Sequence, residues 1–272
     1  MKTIIAPTDF SAVSLNAMNY AADLAVAIDA KLLLVNIVPL PVTSSVEVTI
    51  TEETISELQE DTDKGLLKLK EELLLRTKNR IDIQSFSEFG TVEYDMEEIC
   101  GVRKPFALVM SAKNSNAFER FIMGSNTLSA MRHIPYPVLV IPESCSFKDI
   151  HKIAFACDLE KGSAYETIKI LKEWIYSFKA SLDVVNVNRR ADVGTESLAN
   201  SISIQNQLAE FRPAFHFINN EKVEDGINNF LKKTAPDLLI VIHQSNSIFH
   251  KSHSKPLLLH SSVPVLSIPG HS

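Results

Sequence analysis

Short apolar runs recur along the chain at residues 4–7, 32–37, 81–86, 106–110 and 137–141. Each is four to six residues long and rich in Val, Ile and Leu, as strands buried on both faces are. Between the first two, Val13, Ala17, Ala21, Leu24 and Ile28 recur every three or four residues and predict one apolar helix face. Ala164, Ile168, Leu171, Ile175 and Phe178 repeat that spacing in the second half, with Trp174 beside it. Residues 58–75 read as a long amphipathic helix whose first turns are acidic, which suits the helix dipole. Strands that alternate with helices predict right-handed βαβ crossovers and a parallel sheet covered on both faces.

The pattern also repeats. KTIIAPTD, ending at Asp9, returns as KIAFACD, ending at Asp158, and Asn36 within KLLLVNIVP stands opposite Asn186 within SLDVVNVN. FALVM from Phe106 matches LLIVI, and HIPYPVLVIP from His133 matches HSSVPVLSIP from His260. The offsets run 149, 150, 132 and 127, so the second copy is shortened after its second strand and again after its fourth. Four blocks in one order predict a duplication. The expected domains are residues 1–143 and 151–270, joined by a linker at 144–150.

Composition narrows the possibilities. The 272 residues carry 27 Lys+Arg against 33 Asp+Glu, a net charge of −6, which argues against a general nucleic-acid binder. Hydrophobic residues at 45% exclude wholesale disorder. The three cysteines form no CxxC pair, no leader pattern opens the chain, and no apolar run reaches the ~20 residues of a membrane span. A cytoplasmic protein with no membrane partner is expected. No two of the eight glycines lie within ten residues of each other, so neither a Walker A loop nor a GxGxxG turn can form.

In an open parallel sheet, ligands bind beyond the carboxyl ends of the strands where strand order reverses. The residues expected there are Pro7, Thr8 and Asp9, then Ile37, then residues 110–116. Residues 111–126 read as a small, polar loop ending at Gly124-Ser125 before a helix, and a helix start of this kind is a natural anion site. Lys113, Arg120 and Arg132 add positive charge. Two other roles stay open: Asp9 or Asp158 as a cap of the following helix, and Ser125 as an N-cap. His243, His250, His253 and His260 match no zinc-ligand spacing and read as a polar surface loop. Cys157 follows a buried strand and reads as core.

PTDFS at residues 7–11, the loop before Gly124-Ser125 and the closing PVLVIP together resemble the universal stress protein family in its tandem form. The resemblance implies two Rossmann-like, adenine nucleotide alpha hydrolase-like α/β domains. Each would hold a five-stranded parallel sheet in the order 3-2-1-4-5, the two packed as an intrachain pseudo-dimer. A homodimer and an unknown protein partner are further expectations. ATP-binding members carry G-x2-G-x9-G-[ST] after strand four. By carry-over, Asp9 would contact the nucleoside, Pro7, Ile37 and Met110 would flank it, and Gly124, Ser125 and Asn126 would hold phosphates, with Mg only alongside ATP. Here the first two glycines are Ser111 and Asn114, giving S-x2-N-x9-G-S, and in the second copy His243 and Asn246 replace them. The second site is therefore expected to be lost for ATP. Three readings remain: a non-catalytic stress protein binding ATP or another adenine nucleotide weakly in its first domain, a nucleotide-independent scaffold, and a slow ATP hydrolase.

Overall fold

The computed structural model describes residues 1–39, 52–115, 120–122, 125–159, 165–188, 195–243 and 261–270. In the first half, β1 (Thr3–Pro7), α1 (Ala12–Ala27), β2 (Lys31–Val38), α2 (Glu52–Arg76), β3 (Ile83–Phe89) and α3 (Val92–Arg103) alternate. They are followed by β4 (Ala107–Ser115), β5 (Arg120–Ile122), α4 (Ser125–His133) and β6 (Val138–Pro142). The second half runs β7 (Lys152–Ala156), α5 (Tyr165–Phe178), β8 (Ser181–Asn188), α6 (Thr195–Gln207), β9 (Ala214–Asn219), α7 (Val223–Thr234), β10 (Leu238–His243) and β11 (Val265–Pro269).

The strands lie side by side as β3-β2-β1-β4-β6-β11-β10-β7-β8-β9. Each half is parallel and has the order 3-2-1-4-5, with β5 a short addition to β4. The pairing follows the sequence repeat. Ile4 lies beside Leu32 and Ala107, and its counterpart Ile153 lies beside Leu182 and Leu239. The halves meet where β6 and β11 run antiparallel, pairing Val140 with Val265, Leu139 with Leu266 and Val138 with Ser267. Because each half is internally parallel, this join points the carboxyl ends of the two sets of strands in opposite directions. The two candidate crevices therefore open at opposite ends of one sheet.

Side-chain alternation splits the core into two layers. Ile4, Ala6, Leu32, Leu34 and Val109 face α1 and α2, continuous with Phe155, Leu171 and Trp174 of the second half. Ile5, Leu33, Val35, Leu108 and Met110 face the other way, toward Met96, Ile99 and Met131, and join Ile227, Phe230 and Leu231. Both layers cross the join, so it is a core and not a seam. An aromatic stack reinforces it: Phe106 at the start of β4 lies 4.6 Å from Trp174 of α5, with Phe178 beyond at 5.8 Å. Lys2 Nζ sits 4.3 Å above the Phe106 ring and reaches Ser177 and Glu173 of α5.

Helix ends are matched between halves. α3 and α7 both stop on a residue with left-handed backbone, Lys104 at φ 46° and Ala235 at φ 44°. Each cap amide returns 2.8 Å to a carbonyl four residues back, of Cys100 and of Leu231. That geometry satisfies an otherwise orphaned helix carbonyl.

Two element boundaries differ from the sequence expectation. β3 occupies 83–89 and not 81–86, because an edge strand with one exposed side carries a weaker apolar signal. α2 runs on from the acidic stretch 52–63, which reads as a solvated helix face, through the amphipathic pattern of 58–75 as one element beginning at Glu52, and its only buried residues are Leu66, Leu69 and Leu73. Its first three turns lack the apolar face that periodicity detects. The second difference lies in the functional region.

Candidate functional site

The turn after β1 is fixed by its neighbours. The Thr8 amide donates to the Val35 carbonyl at 2.9 Å, and Asn36 Nδ2 donates to the Thr8 carbonyl at 2.6 Å. Asn36 is 8% exposed, so this side chain satisfies a carbonyl that water barely reaches. Thr8 is buried too; its hydroxyl lies 3.1 Å from that of Ser14 and accepts the Phe10 amide at 3.0 Å. Phe10 takes the left-handed region at φ 59°, which turns the chain sharply into α1. Its ring lies against Gly65 of α2, where an added Cβ would stand 3.0 Å from Phe10 Cζ.

Asp9 is exposed at the head of this turn. Its Oδ1 accepts from the Ser11 amide at 3.0 Å and from the Ser11 hydroxyl at 2.6 Å. Ser11 is the N-cap of α1 and accepts the Ser14 amide at 3.3 Å. Asp9 therefore supports the cap without being it. Partial burial pushes the Asp9 carboxyl up, but the hydrogen bonds from the Ser11 hydroxyl, Ser14 and the Ser11 amide outweigh that and hold it below the usual carboxylate range.

Ile37 and Met110 close β2 and the inner part of β4, 8% and 6% exposed, in the same core layer. Pro7 ends β1 half-buried, and alternation from Ile5 places it on the same face. These three apolar residues flank the point where strand order reverses, between β1 and β4. Ser111 lies just beyond, and its carbonyl accepts the Thr127 hydroxyl of α4 at 3.1 Å. That bond ties the first turn of α4, which begins at Ser125 and exposes Asn126, to β4 one residue before buried Ala112. Gly124 lies outside the described residues.

The expected open loop after Met110 is instead strand. β4 continues through Ser111 and Asn114 to Ser115 and turns back into β5, pairing Lys113 with Ile122, Asn114 with Phe121 and Ser115 with Arg120. The apolar run ends at Met110 because Ser111 interrupts it, although the core reaches buried Ala112, which pairs with Pro142 of β6. Past that point the strand is held by cross-strand pairing, to which polar residues contribute as readily as apolar ones, so no hydrophobic signal marks it.

The second half reproduces the turn and not the rest. The Cys157 amide donates to the Val185 carbonyl at 3.0 Å, and Asn186 Nδ2 donates to the Cys157 carbonyl at 2.9 Å. Cys157 is buried, as expected of a core residue. Leu159 replaces Phe10, is buried, and gives its carbonyl to Asn200 of α6 at 2.8 Å. His243 closes β10, whereas Asn246, His250, Lys251, Ser252, His253 and His260 lie outside the described residues. Among the described residues no three His, Cys, Asp or Glu side chains gather as a metal site, and no helix is long and apolar enough to cross a membrane.

The sequence places Thr8 at the strand end, Asn36 opposite Asn186 and Ser11 within PTDFS without giving any of them a task, and it does not single out Thr127; these residues build the turn and anchor α4. A signal existed for Asn36. One identical polar residue stands at the same place in two otherwise apolar strands, which only a shared hydrogen-bonding task explains.

Comparison with known proteins agrees with this architecture. A protein of Staphylococcus haemolyticus described as a universal stress protein is 33% identical over 141 residues, 52% of this chain and 84% of its own. A universal stress protein from Archaeoglobus fulgidus superposes with a TM-score of 0.77 at 14% identity, covering 98% of each chain. One from Pseudomonas aeruginosa superposes with a TM-score of 0.61 at 11% identity, covering 99% of this chain and 94% of its own. Residues 1–142 match the Universal stress protein family, and the chain belongs to that family.

Proposed function

We propose that the protein is a non-catalytic member of its family with one adenine-nucleotide site, in the first half. The observation that carries this reading is the convergence of Pro7, Ile37 and Met110 beside the β1–β4 reversal, with the first turn of α4 tied to Ser111. An apolar slot between strand ends suits a flat base, and helix amides pointing into the same crevice suit a phosphate. In this reading Asp9 faces the ribose, Ser111, Asn114, Gly124, Ser125 and Asn126 line the phosphate path, and Mg enters only with ATP. In this reading the second half has no nucleotide role, because His243 and Asn246 stand where the ATP-binding motif has its first two glycines.

One observation favours a second reading, a scaffold that works by protein contact alone. The backbone around Asn114, which a triphosphate would approach, is paired into the β4–β5 hairpin. Each lost charge-assisted hydrogen bond costs about 1.5–3 kcal/mol, so two losses move a micromolar ligand into the millimolar range. Calorimetric titration of nucleotide-stripped protein with Mg·ATP, ADP and AMP decides between them. A single site lost in Met110→Trp, which fills the slot, is the expected result. No heat and no thermal shift at millimolar nucleotide would remove the nucleotide reading and leave the scaffold.

A further inference from the structure

We propose that strand β9 is the surface through which two copies of this chain associate, pairing antiparallel about a twofold axis perpendicular to the sheet. The sheet has two ends, β3 and β9, and they are not alike. β3 carries exposed Gln84 and Glu88, and Asp95 and Glu98 of α3 line the hollow beside it. Charge at an edge discourages another strand from docking there. β9 reads AFHFIN, with no formally charged residue, and Phe217 is 57% exposed. Among the described residues it pairs only with β8, so its outer amides and carbonyls have no ladder partner. The Phe215 and Phe217 rings lie on one face of the strand, stacked with centroids 6.4 Å apart.

The geometry of the strand selects both the partner and the register. A twofold perpendicular to the sheet keeps each face on its own side, so residues that pair across it must share a face. One register places the two His216 residues opposite each other at the axis, and Phe215 opposite Phe217 of the partner subunit, twice. Four aromatic rings then form one ladder, and cross-strand aromatic pairs are among the favourable ones. Sliding by one step either way leaves a single aromatic pair at the axis, Phe217 with Phe217 or Phe215 with Phe215 of the partner subunit, in place of two. Joining β9 to β3 would instead be head-to-tail and open-ended, and would press the aromatic strand against Glu88. The self-complementary arrangement is the one that closes, and it leaves the crevices at the strand ends free.

The test is the mass of the full chain in solution across roughly 1–100 μM, by sedimentation, with its Phe217→Lys variant alongside. The expected result is a species of twice 30.3 kDa that Phe217→Lys converts to monomer, with circular dichroism unchanged and a melting temperature that no longer rises with protein concentration. Register is read separately in a Cys145→Ser background with a short thiol cross-linker: His216→Cys should give covalent dimer and Gln84→Cys should not. Monomer at every concentration, a dimer that survives Phe217→Lys, or cross-linking through Gln84→Cys instead would each overturn the proposal. A monomeric chain whose β9 captures a strand of some other protein would overturn it as well.

Discussion

The two halves share a frame and differ in what is mounted on it. Asn36 and Asn186 clamp the same carbonyl, and Asn16 and Thr167 reach the last carbonyl of the closing strand, of Pro142 at 3.3 Å and of Pro269 at 3.1 Å. Duplication kept the groups that hold strand ends together. Elsewhere the copies diverged. Near the end of α1 stands Leu24, fully buried. At the equivalent place 150 residues on, as aligned by the left-handed Asp29 and Lys179 that follow the two helices, α5 has Trp174, fully buried against Phe106 of the other half. The clamps serve a single half, whereas one helix position carries a leucine in the first copy and, in the second, the tryptophan that packs across the join. Within a duplicated fold, then, hydrogen-bonding tasks were conserved between copies and packing tasks were not.

Trp174→Ala tests the packing side of that difference and should have the largest effect. Removing a fully buried tryptophan typically costs about 3–5 kcal/mol, read as a shifted midpoint in urea unfolding. Because both core layers cross the join, one cooperative transition should persist at lower denaturant. A split into two transitions would mean that the halves are separate folding units. Trp174→Phe sharpens the point. The indole Nε1 is buried without a hydrogen-bond partner, so the phenyl ring keeps the stack and removes an orphaned donor. The loss there should be under about 1.5 kcal/mol.

How far the sequence reveals this depends on what each residue does. The strand runs, the repeat and its offsets follow from apolar periodicity, and the observed pairing of Ile4 and Ile153 obeys those offsets. Trp174 was visible beside the helix pattern of α5, but its partner Phe106 lies in the other half, and no local pattern encodes a contact that distant. The β4–β5 hairpin was invisible because it stands outside the core. At the candidate site the apolar lining was legible, since Ile37 and Met110 end apolar runs. The hydroxyl network of Thr8, Ser11 and Ser14 was not, because small polar residues look alike in a loop whatever they bind.

A glycine pair breaks the comparison in opposite directions, with smaller effects. Gly101 in α3 and Gly226 in α7 occupy equivalent helices. An added Cβ at Gly101 meets nothing within 4 Å, whereas at Gly226 it would stand 2.8 Å and 3.1 Å from the two Val187 methyls and 3.3 Å from Asn220 Cβ. Gly101→Ala should therefore stabilise by about 0.5–1 kcal/mol through helix propensity and a less flexible unfolded chain. Gly226→Ala should destabilise by about 1–3 kcal/mol, as overpacking does. Equal signs in thermal unfolding would show that α7 yields where the packing says that it cannot.

The smallest effect concerns the turn that the first half uses at its crevice. Asp9 is ionised more readily in the folded protein than in the unfolded chain, because Ser11 hydrogen-bonds its charged form. A depressed carboxyl contributes stability that is fully present above the unfolded value, about pH 4. That contribution disappears as pH falls through the lower folded value, when the native carboxylate takes its proton. Asp9→Asn keeps an oxygen acceptor for Ser11 and removes the ionisation. The stability difference between wild type and Asp9→Asn should then be constant from pH 7 to about pH 5 and shrink toward pH 2. It should also be slight, since the carboxylate is exposed and solvent screens it. Urea unfolding at a series of pH values measures the difference directly. A gap that stays constant down to pH 2 would mean that Ser11 does not favour the charged form. Asp9 would then be held only by geometry, and its electrostatic readiness to meet a ligand would have to be argued from something other than this turn.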